Sequence, residues 1–177
     1  DVQIAVLPAV IFTSGQLLDV ATLTRKAHER GIVIGWDLSH SVGAVPHALD
    51  RDGADFAFWC HYKWLNAGPG AAGGLYLNRQ HAHRAPGLAG WWGVRATRRF
   101  AMAPEHEPAA GAAALHIGTP AIFGTAPLLG SLEMIAEAGG VAALRKQSLA
   151  LTDFLIAQID AELTALGIPS ILVPYPH

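Results

Sequence analysis

The chain has 177 residues, a formal net charge of −2 at pH 7 and 15% charged residues, which fits one domain or one domain plus a piece and gives no electrostatic footprint for a nucleic-acid partner. Its 51% apolar content, before 19 glycines are counted, exceeds the roughly 45–50% that a typical globular domain reaches with glycine included, so a partner surface is expected beyond one small core. The single cysteine, Cys60, excludes an internal disulfide and fits a reducing compartment, with a cytoplasmic location the expectation.

An apolar run, Ile4-Ala5-Val6-Leu7, opens the sequence without an initiator methionine, a charged start or a small-residue cleavage site, and the end at His177 follows soon after another apolar run, Ile168 to Val173. It reads as a piece cut at both ends. Residues 4–10 predict a strand. Asp19 caps a helix over 20–30, with Val20, Leu23 and Ala27 on one face and Gly31 at the left-handed C-terminal position. Residues 32–36 complete a βαβ unit, whose handedness makes its two strands parallel and delivers Asp37 to a carboxyl edge.

Residues 55–60 and 73–78 read as two further strands, separated by the Lys63 segment and a Gly68-Pro69-Gly70 turn; so short a connection leaves the direction of the last strand open. From Gly124 to Ala138 the spacing of Leu128, Leu132 and Ile135 predicts a helix, interrupted near its start by Pro127 and ended by Gly139-Gly140. Val141 to Leu166 predicts a long helix with Leu144, Leu151, Leu155, Ile159, Leu163 and Leu166 on one stripe. The fold class is therefore α/β, a parallel-rich sheet flanked by helices.

Three features read as structural. The uncharged stretch Pro108 to Leu132 has the length of a membrane span, yet Pro120, Pro127, His116 and its glycines argue for buried core or a dimer interface instead. Arg95-Ala96-Thr97-Arg98-Arg99 is a short basic cluster, a solvated loop before it is an anion clamp. His81-Ala82-His83 lacks a carboxylate or cysteine partner nearby, so a surface loop is expected there rather than a metal site.

Chemistry gathers at two strand ends. Lys63 follows the apolar run Phe56-Ala57-Phe58-Trp59-Cys60, where burial can lower a lysine pKa and make its amine a nucleophile for a Schiff base. Asp37 ends the preceding strand, and parallel strands open their carboxyl ends on one crevice, the place where open α/β sheets bind ligands. A lysine that bonds an aldehyde, with an acid able to pair with a pyridinium nitrogen, is the minimum protein contribution to pyridoxal phosphate (PLP) chemistry. Taken singly, Lys63 also reads as a strand-end lysine reaching water and Asp37 as a cap for backbone N–H groups. Cys60, inside the strand, reads as a small buried hydrophobe.

The segments Asp37-Leu38-Ser39-His40-Ser41-Val42-Gly43-Ala44, Tyr62-Lys63-Trp64-Leu65-Asn66 and Gly90-Trp91-Trp92-Gly93 resemble kynureninase, a PLP-dependent hydrolase of the aspartate-aminotransferase fold (fold type I), and the resemblance covers nearly the whole chain. It implies that Lys63 carries the cofactor and shuttles the substrate Cα proton, that Asp37 accepts the pyridinium N–H, and that His40 lies near the ring or its 3′-oxygen. It further implies that Tyr62 reaches the phosphate and donates a proton in later steps, and that Trp91 and Thr119 contact the phosphate region from the neighbouring subunit of a homodimer. For His40 and Tyr62 a core role, and for Thr119 an ordinary Gly-Thr-Pro turn, are the plain alternatives.

The implied reaction is hydrolysis of L-kynurenine or 3-hydroxykynurenine to anthranilate or 3-hydroxyanthranilate plus L-alanine, in tryptophan catabolism or NAD biosynthesis. The implied organisation is a partial PLP-binding large domain over 1–140, then a linking helix and the start of a small α+β domain over 141–177, with Ile171-Leu172-Val173 its first strand. Val94 departs from the family pattern, where a histidine commonly follows Gly-Trp-Trp-Gly. The family's phosphate-binding helix N-terminus, ring-stacking aromatic residue and carboxylate-binding arginine belong to regions outside residues 1–177. Another fold type I PLP enzyme, such as a cysteine desulfurase-like lyase, and a non-catalytic fragment are the alternative readings.

Overall fold

The computed structural model describes residues 2–169. Strand β1 (Ile4–Pro8) is followed by a small antiparallel hairpin, β2 (Val10–Ile11) and β3 (Gln16–Leu17); the strand expected over 4–10 takes in only Val10 of it, and the rest of the hairpin carries no expectation. Helix α1 (Val20–His28) begins as expected, because the Asp19 carboxylate accepts the amide hydrogen of Thr22 at 2.9 Å. Strand β4 (Val33–Asp37) returns parallel to β1, in register from Ile4 opposite Val33 to Pro8 opposite Asp37. A short helix α2 (Leu49–Asp52) leads into β5 (Phe56–Cys60), also parallel to β4, and β6 (Gly73–Leu77) closes the sheet antiparallel to β5.

The sheet order is thus β1-β4-β5-β6, three parallel strands and one antiparallel edge. Central strand β4 carries the core: Ile34 and Trp36 are buried with Ala9, Val20, Leu38, Ala54 and Ala57 around them. Burying an indole requires a partner for its N–H, and Trp36 Nε1 donates to Thr24 Oγ1 at 3.0 Å, which docks α1 on the sheet in one orientation.

At the amino edge of the sheet a second polar anchor fixes the strands. Asp55, just before β5, is buried and accepts from the amide of Ile34 (2.8 Å), the side-chain amide of Gln80 (2.8 Å), His28 Nε2 (2.9 Å) and His81 Nε2 (2.7 Å). His81 is therefore no plain surface-loop residue: a carboxylate distant in sequence captures it. Burial pushes the Asp55 carboxyl up, but the bonds from His81, the Ile34 amide and His28 together hold it below its usual value.

Helices α3 (Ile122–Glu137) and α4 (Gly140–Ala165) form the rest. α3 starts two residues before the expected Gly124 and runs through Pro127 rather than being interrupted there. The proline costs one bond to the carbonyl of Phe123, a residue 94% exposed whose carbonyl can turn to water. Neither helix has a buried residue among those described, and Phe123, Leu129, Met134, Leu151, Phe154 and Leu155 stand exposed. Buried core is therefore the wrong reading of Pro108 to Leu132 within this chain: it divides into a 3₁₀ turn over Gly111–Leu115, irregular backbone and the first turns of α3.

No single helix among the described residues is long and apolar enough to cross a membrane; α3 and α4 meet that test only as a pair bent by 71°. The expected strand at Ile171-Leu172-Val173 lies outside the described residues.

Candidate functional site

Three parallel strands place their carboxyl ends on one edge, and the two turns that leave β4 and β5 build the site there. Asp37, the last residue of β4, lies between Pro8 and Phe58, and its Oδ1 accepts the amide hydrogen of Ser39 at 2.8 Å. The cap on the Ser39 amide and the half-buried position at the carboxyl edge thus coexist in one carboxylate. The turn after it is tightened by Leu38 N–H donating to Phe58 O and by Ser41 and Val42 N–H donating to Leu38 O, each at 2.9 Å. Buried Ser41 also bonds through Oγ to His47 Nε2 at 2.8 Å, and burial pushes the His47 pKa down against the pull of Asp52.

The turn after β5 carries Lys63. Asn66 N–H donates to Lys63 O and Ala67 N–H to His61 O, both at 3.0 Å, while half-buried Cys60 reaches Ser39 O through Sγ at 3.9 Å. Cys60 is therefore less deeply buried than its strand position suggested. Gly43 lets the two turns meet: its φ is +88° and a Cβ there would lie 2.9 Å from Trp64 O, so a side chain would push the turns apart.

With the turns in contact, Lys63 Nζ lies 2.7 Å from His40 Nε2, a geometry in which a protonated amine donates to a neutral imidazole. Phe12, from the β2–β3 hairpin, stacks on the same imidazole with centroids 5.4 Å apart and planes 21° from parallel. Tyr62 is exposed, its ring 5.8 Å from Lys63 Nζ. Asp37, His40, Tyr62 and Lys63 thus share one edge.

Trp91 and Thr119 stand on the segment after β6. Among the described residues no hydrogen bond or ring contact links either of them to Lys63, His40, Asp37 or Tyr62. The basic cluster does not behave as one solvated loop: Arg98 pairs with Glu107 at 2.8 Å, and Arg99 lies on the ring of Trp92.

Sequence reasoning missed Phe12, since nothing local marks a hairpin phenylalanine for stacking on a histidine. The Thr13-Ser14-Gly15 turn beside it was the available signal. A depression of about 360 Å³ lined by His28, Asp55, Gln80, His81 and Arg84 lies at the opposite, amino edge of the sheet, away from Lys63. No group of three or more His, Cys, Asp or Glu among the described residues is placed to hold a metal ion.

Residues 2–168 match the aminotransferase class-V family, and the chain belongs to it. Within that family the similarity is to kynureninases. The chain is 48% identical over 167 residues to the kynureninase of Geobacillus thermodenitrificans, covering 94% of this chain and 39% of that one. It is 49% identical over 164 residues to the kynureninase of Shouchella clausii, covering 93% and 38%. The chain accordingly spans about two fifths of the length of the curated relatives it matches. A cysteine desulfurase from Thermococcus onnurineus shares the fold, with a TM-score of 0.71 over 94% of this chain and 40% of that one at 20% identity.

Proposed function

We propose that this polypeptide is part of a PLP-dependent kynureninase, which hydrolyses L-kynurenine or 3-hydroxykynurenine to anthranilate or 3-hydroxyanthranilate and L-alanine. The observation that carries the proposal is the Lys63–His40 contact of 2.7 Å on the same edge as Asp37, in a chain 48% identical to a kynureninase. The donor set fits PLP: an amine held at a strand end, a carboxylate fixed at the neighbouring strand end, and an exposed phenol beside the amine.

When bound, PLP supplies the sink for electrons released at the substrate carbons. Lys63 Nζ holds the cofactor and then takes and returns the proton at substrate Cα, with His40 Nε2 as its neighbour for proton exchange. The Asp37 carboxylate, already fixed by the Ser39 amide, accepts the pyridinium N–H. Tyr62 reaches the phosphate and gives up a proton late in the reaction, while Trp91 and Thr119 serve the phosphate region of the neighbouring subunit in a homodimer.

The same proposal places the protein in the cytoplasm, in tryptophan catabolism or NAD biosynthesis, with residues 1–140 in the cofactor domain and 141–177 leading into a small second domain. A desulfurase chemistry is less well supported, because the single cysteine is half-buried against Ser39 O and the desulfurase likeness is one of fold at 20% identity. Borohydride reduction of the full-length protein with PLP, followed by peptide mapping, is expected to place the pyridoxyl group on Lys63. A label on Lys26 or Lys146 instead overturns the assignment.

A further inference from the structure

We propose that Arg99 is a positioning residue that holds Trp91 for its cofactor contact; the inference rests on the proposed function for the cofactor and on the loop geometry for the rest. The Gly90-Trp91-Trp92-Gly93 turn is one 3₁₀ turn over Trp91–Gly93, tied at its far end by Ala109 N–H donating to Gly93 O at 2.7 Å and by a bridge between Val94 and Pro108, while its two indoles have no backbone element beside them to orient them. The Arg99 guanidinium adds a side-chain anchor that reaches an indole ring as well as the backbone. Its Cζ lies 4.0 Å from the centre of the Trp92 ring, and Nη2 donates to the carbonyls of Trp92 (3.0 Å) and Val94 (3.4 Å), the residues on either side of Gly93.

One side chain therefore grips the ring and the backbone of the turn together, a task for a planar fork that a lysine ammonium cannot perform. Arg99 Nε is buried without a hydrogen-bond partner, so the guanidinium keeps this pose against a desolvation cost, which points to the ring and the two carbonyls as what holds it.

The grip reaches Trp91 through aromatic edges. Trp91 meets Trp92 edge-on at 5.1 Å and 82°, and Phe100, the residue after Arg99, at 5.9 Å and 68°. Beneath the turn the backbone has no room to shift: a Cβ at Gly90 would lie 2.2 Å from Ile117 Cα, and one at Gly93 would lie 2.4 Å from Ala114 O. The turn is thus seated on the segment leading to Thr119, with Arg99 fastening it from the other side. Neighbouring Arg98 makes a different contact, an exposed pair with Glu107, and serves as a control.

The test uses the full-length protein and the variants Arg99→Ala, Arg99→Lys and Arg98→Ala, with two readouts: the PLP dissociation constant from titration of the apoenzyme, and the far-ultraviolet circular dichroism couplet of the Trp91–Trp92 pair. Arg99→Ala and Arg99→Lys are expected to lose the couplet and to weaken PLP binding about tenfold, the scale of one charge-assisted bond. Arg98→Ala changes neither. Guanidinium ion, but not ammonium, restores both in Arg99→Ala. An Arg99→Lys protein with wild-type couplet and affinity overturns the proposal, and because it keeps the charge and most of the volume it decides the matter if Arg99→Ala does not fold. Failure of guanidinium to restore either readout in a folded Arg99→Ala overturns it as well. A wild-type protein that binds no PLP defeats the cofactor reading separately, and the couplet then reports alone on whether Arg99 holds Trp91.

Discussion

Replacing Asp55 by alanine should loosen the site from the far side of the sheet. The carboxylate joins the start of β4, through the Ile34 amide, to His28 at the end of α1 and to Gln80 and His81 after β6. Alanine leaves the Ile34 amide, in a residue 1% exposed, without its acceptor, while His28 and Gln80 at the rim recover water. The unpaired buried amide costs about 1–3 kcal/mol, and the lost charge-assisted bonds bring the total to about 3 kcal/mol, the lower end of what breaking a buried charged pair costs. Opening of β4 from the native state should then be about a hundredfold more frequent, at tenfold per 1.4 kcal/mol.

Hydrogen exchange of β4 peptides in the full-length protein measures this directly. Because the folded carboxyl lies below its unfolded value near 3.9, its stabilisation is complete above that value and is lost as pH falls through the lower folded one. The carboxylate's own share of the Asp55→Ala effect should therefore be present in full above about pH 5 and shrink below about pH 4. Exchange in β4 within twofold of wild type at pH 7 would refute the account.

His40→Leu removes the imidazole beside Lys63 and should slow the proposed kynurenine hydrolysis about a hundredfold while the proposed borohydride labelling of Lys63 persists; steady-state assay and peptide mapping of the full-length protein check the two halves. Gly43→Ala forces a side chain into a left-handed backbone and against Trp64 O, so a cost of about 2 kcal/mol is expected in denaturant melts, with reduced PLP occupancy. Thr24→Val leaves the buried Trp36 N–H without its acceptor, costing about 1–3 kcal/mol and shifting the near-ultraviolet circular dichroism of that indole.

The βαβ start was legible because its signals are local: the Asp19 cap, the helical spacing of Val20, Leu23 and Ala27, and the apolar run up to Asp37 each act within a few residues. Asp37 and Lys63 were legible as strand-end residues for the same reason. What links them to their neighbours was not, because the Lys63–His40 contact spans 23 positions and the His81–Asp55 contact spans 26. The His40–Phe12 stack likewise depends on a hairpin of which the strand expected over 4–10 takes in only Val10. The long amphipathic stripe expected over 141–166 did yield a helix, Gly140–Ala165, but a stripe does not say what covers it, and Leu151 and Leu155 stay exposed here.

The pairing of Cys60 with Gly73 closes residues 61–72 into a loop, and His61 N–H donating to Ala72 O carries the clamp one step past the ladder. Such a closed loop tolerates changes of length cheaply, since doubling it costs only about 0.6 kcal/mol in closure entropy. Length can therefore vary around Gly68 and Pro69 at the cost of the turn bond from Ala71 N–H to Gly68 O, while the Lys63–Asn66 and His61–Ala67 backbone bonds keep the reactive half in place. In evolutionary terms the chemistry and the neighbouring contour of this edge are separable: the Lys63 half of the loop is held by its own backbone bonds, and the half over residues 68–72 by a separate turn bond and its approach to Gly124.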